Sequence, residues 1–183
     1  MRTALKKTRF LFFSLLILSL LTGCEEKQYA PLPTVSHLDL TRYGGLWHEI
    51  ARYENRFEEG CVGATAAYTL QDKHIRVINR CYDDTGRLKK QAEGKAYPVE
   101  GGNNAKLRVT FFRPFYGDYW VLMLADDYRY AVIGDPARRY LWILARDTVL
   151  NNEDRYAILS RLPALGYDPF KLYWTGFKAM CNH

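Results

Sequence analysis

The stretch YGGLWHEIARY, residues 43–53, decides how this chain is read. Two glycines, Gly44 and Gly45, stand directly before a run that alternates apolar and polar residues as a strand does, and Trp47 follows two positions later. Glycine accepts backbone angles that a Cβ forbids, so the pair predicts a tight turn into a first strand that buries an indole.

Working outward, seven more stretches rich in aromatic and branched residues follow at even spacing: VGATAAYTL (62–70), HIRVINRC (74–81), KKQAEGKAYPV (89–99), AKLRVTFF (105–112), DYWVLMLA (118–125), YRYAVIG (128–134) and YLWILAR (140–146). Turn signals such as Asp83-Asp84-Thr85-Gly86, Gly101-Gly102-Asn103-Asn104 and Gly134-Asp135-Pro136 separate them. Eight short strands of this kind predict an all-β domain, an antiparallel barrel or sandwich. Two of the runs are apolar on both parities, which suits strands with an apolar interior on one side and a helix or neighbour on the other. NNEDRYAILSRLPALG supplies that helix, with Asn151 or Asn152 as N-cap and Gly166 past its end. Tyr156, Leu159 and Leu162, with Ile158 beside them, form the stripe expected to dock on the barrel wall. A short strand near residues 171–175 is expected to rejoin the sheet.

The beginning of the chain has a different logic. Arg2, Lys6, Lys7 and Arg9 precede an apolar run from Phe10 to Leu21, too short to span a bilayer and typical of an export signal. The run ends in Leu21-Thr22-Gly23-Cys24, which resembles the lipobox of bacterial lipoproteins. That resemblance implies a signal peptide over 1–23, lipid on Cys24 and a tether over 24–36 ahead of a barrel domain over 37–183. Acyl chains contribute about 0.8 kcal/mol per buried CH₂, so the protein would be membrane-anchored. Glu25, a residue other than Asp, implies sorting to the outer membrane, on its periplasm-facing side. The leader holds four of the 26 basic side chains and none of the 20 acidic ones, so its removal lowers the net charge from +6 to +2. The apparent basicity is the leader's, which removes the case for a nucleic-acid partner.

Cys61, Cys81 and Cys181 remain in a compartment where disulfides persist. A hairpin over 61–70 and 73–81, turning near Gln71-Asp72-Lys73 with Thr69 opposite Lys73, would also set Cys61 opposite Cys81. Cys61 with Cys181 is the alternative.

Gly45-x-Trp47 at the start of the first strand and Arg146 about 100 residues later, at the end of the eighth, together resemble the lipocalins, and FFRPFYGDYWVL (111–122) and YLWILAR resemble the bacterial outer-membrane members. The resemblance implies an eight-stranded antiparallel up-and-down barrel with a C-terminal helix packed outside. Trp47 would plug the closed floor with the Arg146 guanidinium stacked on it, a cation–π pair worth about 1–2 kcal/mol when desolvated. The family's Thr-Asp-Tyr-x-x-Tyr motif is half kept, as Ala125-Asp126-Asp127-Tyr128-Arg129-Tyr130.

If Arg146 points inward, Leu144 and Trp142 share its face, and Trp142 lies about 13 Å toward the mouth. Trp120, with Leu122 beside it on that parity, is the expected counterpart across the lumen. A barrel of eight strands holds one small ligand. An apolar lumen with few charges suits an acyl chain, so a fatty acid or lysophospholipid is the expected ligand, its head met by Arg113, Tyr116, Tyr119 or Tyr128. No cofactor is implied: the four histidines lack metal spacing and no serine sits in a nucleophile elbow. Two alternatives stay open, an envelope lipoprotein without ligand and a lipid isomerase using Cys81 or Cys181 as its thiol, since a few lipocalins are isomerases. An oligomer also stays open.

Overall fold

A computed structural model describes residues 30–176. The expectations for the leader, for Cys24 and for Cys181 lie outside these residues. The opening turn is built by a one-turn helix, α1 (Leu40–Tyr43), whose N-cap Asp39 accepts hydrogen bonds from the Thr41 and Arg42 amides. Of the two glycines after it, Gly45 is the one that needs its freedom: its φ is +89°, in the left-handed region. The chain then enters β1 (Gly45–Tyr53).

The strands are β2 (Gly63–Leu70), β3 (Ile75–Tyr82), β4 (Leu88–Pro98), β5 (Lys106–Phe112), β6 (Phe115–Leu124), β7 (Tyr130–Gly134) and β8 (Leu141–Ala145). Each pairs antiparallel with the next, and β1 pairs with both β2 and β8, so the sheet closes into a barrel with no free edge along this seam. The final strand β9 (Leu172–Trp174) lies against the second half of β1, where β2 has diverged. Connectivity fixes the two ends. Arg146, α1 and the 125–129 turn mark the closed end, and the loops 54–62, 83–87, 113–114 and 135–140 mark the mouth.

The helix is α2 (Asn152–Arg161), capped by the Asn151 side chain. It ends early because Pro163 has no amide to donate, and a 3₁₀ turn over Pro163–Leu165 carries the chain on to Gly166 at φ +83°. Ile158, Leu162 and Leu165 dock on the wall, but Tyr156 does not: it lies on the opposite side of the helix, exposed. Two apolar clusters result. One lies between α2 and the outer faces of β1 and β6–β8; the other fills the barrel's interior and draws on all eight strands.

Cys61 and Cys81 form a disulfide, with Cα atoms 5.3 Å apart. The register expected for this hairpin was wrong. Thr69 faces Arg76 and Leu70 faces Ile75 around a longer turn, which sets Cys81 opposite Ala64. Cys61 precedes the strand and reaches Cys81 from the mouth loop, where Val62 donates to the Tyr82 carbonyl. The bridge therefore joins that loop to the barrel wall.

Candidate functional site: the barrel interior

The floor is built around Trp47, which is completely buried. Its Nε1 donates to the Tyr43 carbonyl, and the Arg146 guanidinium carbon sits 3.8 Å above the ring. The same guanidinium donates to the carbonyls of Leu46 and Arg42, so one side chain binds the indole face and both sides of the opening turn. Above the floor the Tyr119 hydroxyl meets those of Tyr43 at 2.6 Å and Tyr68 at 2.9 Å. Burial raises the pKa of all three phenols, which keeps them neutral.

Higher up, the wall is asymmetric. Strand register places Ala64, Ala66, Ala92, Gly94 and Ala96 on the inner face of β2 and β4; Ala66, paired with Trp47, and Ala96 pack into the floor cluster, and Ala64 and Ala92 are the small residues of the wall above it. A Cβ on Gly94 would meet the Phe111 ring at 2.7 Å, so Phe111 lies across this glycine on the inner side. Opposite stand Leu144, in the interior cluster, and Trp142, packed against it. Trp142 stacks on Tyr140 and donates from Nε1 to Glu58 at 2.9 Å.

The interior holds a buried ion pair that the sequence did not announce. Glu49 and Arg52 are both buried and paired at 2.7 Å. Arg52 also donates to the carbonyls of Cys61 and Glu58 and lies under the Tyr173 ring, so it ties the 54–62 loop across the mouth. Burial and the nearby Glu58 raise the Glu49 pKa, with Arg52 opposing them. Strict alternation puts residues 49 and 52 on opposite faces. A bulge between Glu49 and Ala51 turns both inward, a feature the letters HEIARY do not announce.

Several expected wall residues lie elsewhere. Trp120 and Leu122 belong to the outer cluster, and Trp120 has the Lys106 ammonium 4.3 Å from its ring. Tyr119 and Val121 take the inner face; Leu122 shares the outward parity of Trp120, and a bulge between Val121 and Met123 puts Met123 outside as well. Tyr128 is at the wrong end for a head group: at φ +64° in the floor turn, its hydroxyl accepts from the Asp39 amide and Arg42 covers its ring. Arg113 is at the mouth and exposed, donating to the Tyr97 hydroxyl. Cys81 lies in the disulfide, so it is no free thiol for an isomerase. A second concavity of about 740 Å³, partly lined by Tyr53, Phe170 and Lys171, lies outside the mouth.

A closed eight-stranded barrel with a Trp–Arg floor and an interior reached from one end defines a lipocalin-type binding barrel. The chain belongs to the lipocalin family: the family model for the lipocalin-like domain matches residues 38–176. It is 41% identical over 142 residues to the outer membrane lipoprotein Blc of Escherichia coli strain K12, covering 77% of this chain and 80% of that protein. It is 37% identical over 167 residues to the outer membrane lipoprotein Blc of Vibrio cholerae, covering 89% and 96%. Insecticyanin from the tobacco hornworm Manduca sexta shares the fold, with a TM-score of 0.68 at 24% identity over 85% of this chain and 90% of that one. Lipocalins bind small hydrophobic ligands.

Proposed function

We propose that the chain holds one acyl-chain lipid, a fatty acid or lysophospholipid, inside its barrel without chemical turnover. The observation that carries this reading is the asymmetric upper wall: small residues on β2 and β4, with Phe111 laid over Gly94, on one side and Trp142 on the other, above a sealed floor. A tail laid there leaves water at about 0.8 kcal/mol per CH₂. Its carboxylate or phosphate would remain at the mouth, near Lys90 on the inner register of β4 and Arg113 on the rim.

Trp142→Ala and Trp120→Ala separate this reading from simple packing. Trp142→Ala removes inner wall and is expected to weaken binding of a fluorescent fatty acid by about 1–3 kcal/mol while the fold survives. Trp120→Ala is expected to leave affinity unchanged, because its ring lies outside. Equal affinity for wild type and Trp142→Ala would place the ligand elsewhere.

We also propose that lipid on Cys24 anchors the protein to the outer membrane, facing the periplasm. The Leu21-Thr22-Gly23-Cys24 sequence and the names of the Blc relatives support this. Metabolic labelling with palmitate is expected to mark the wild type and not Cys24→Ser; label on the variant would contradict the anchor.

A further inference from the structure

Every phenylalanine among the described residues is exposed and stands at the mouth. They are Phe57, Phe111, Phe112, Phe115 and Phe170. Exposure reaches 74% at Phe112, 70% at Phe115 and 95% at Phe170, while the two cores are built from other apolar side chains. Five solvent-facing rings at one end of a barrel are more than scattered surface residues explain.

Three of the five have a basic neighbour in sequence: Arg56 with Phe57, Phe112 with Arg113, and Phe170 with Lys171. Over the rim segments 54–60, 83–90, 111–116, 135–140 and 168–171, seven exposed basic side chains face four exposed acidic ones. Apolar rings interleaved with cations on a surface of net positive charge match an anionic lipid interface, where rings enter the acyl boundary and cations remain among the head groups. A protein partner recognised by the same rings would favour a charge-depleted centre, which this rim lacks.

We infer that the mouth docks on an anionic lipid surface, with Phe112, Phe115 and Phe170 entering the acyl boundary. Of the five rings only Phe111 also belongs to the ligand wall; Phe112, Phe115 and Phe170 stand apart from it, and the inference holds whether or not the interior takes an acyl chain. It places the mouth against the membrane, so that a lipid could pass between bilayer and barrel without crossing water.

The test uses the full-length protein reconstituted in vesicles of phosphatidylethanolamine and phosphatidylglycerol, with and without bromine on the acyl chains. Phe112→Trp and Phe170→Trp report from the rim. Tyr156→Trp, on the outer side of α2, is the control. Each rim tryptophan's added emission is expected to shift to the blue and to fall by about half or more with brominated lipid, because interfacial rings sit within reach of the chains. The control should lose nothing. Quenching at Phe112→Trp should diminish in the Phe112→Trp/Phe115→Asp double variant and when phosphatidylglycerol is omitted. Unquenched rim probes, or rim and control probes quenched alike, would overturn the inference. A blue shift that follows protein concentration and ignores bromine would overturn it in favour of a second copy of the chain.

Discussion

Trp47→Ala is expected to lower stability by about 3–5 kcal/mol, because a completely buried indole leaves a cavity that closed strands cannot collapse to fill. The loss reaches past the ring. Arg146 would lose the face it stacks on, and the Tyr43 carbonyl would lose its donor, so the turn through Gly45 would loosen with the floor. Urea unfolding measures this. A loss below about 1 kcal/mol would mean that the floor is held by the Arg146 hydrogen bonds alone.

Arg52→Met is expected to cost about 3–5 kcal/mol near neutral pH, because it strands Glu49 in the interior beside Glu58. The pH dependence has a definite sign. The folded pKa of Glu49 is already raised above its ordinary 4.5, and removing the guanidinium raises it further. A raised folded pKa gives stability that is present below the unfolded value and is lost as pH rises toward the folded one. The variant's deficit should therefore be small near pH 4 and grow through the window above 4.5. Adding Glu49→Gln to Arg52→Met should flatten that dependence, and unfolding curves across pH decide it. A deficit independent of pH would show that Arg52 matters only through its hydrogen bonds to the Cys61 and Glu58 carbonyls.

Where one strand face is apolar, or a glycine stands at a turn, the letters carry the architecture. YGGLWHEIARY marked the floor because Gly45 and Trp47 have no cheaper explanation than a left-handed turn and a buried ring. Leu144 and Trp142 were placed correctly on the inner face because β8 runs without a bulge from Leu141 to Ala145. β6 was misread because DYWVLMLA is apolar on both parities, and a bulge then adds a second residue to its outer face. The Glu49–Arg52 pair was missed for the same physical reason, since one inserted residue defeats a period of two. The disulfide partners were right although the register was not, because Cys61 joins from the loop and not from the strand. Tyr156 was counted with the docking stripe although about two residues separate it from Ile158, more than half a helical turn.

An acyl chain held inside the barrel can be located by covalent mapping. A palmitic acid carrying a diazirine near its methyl end would be irradiated with the protein and the labelled peptides located by mass spectrometry. Label is expected on inner-face positions such as Ala64, Ala92, Phe111 and Trp142, and is abolished by excess unlabelled fatty acid. Label confined to the outer concavity at Tyr53 and Phe170, or to Trp120 beneath Lys106, would contradict an interior site.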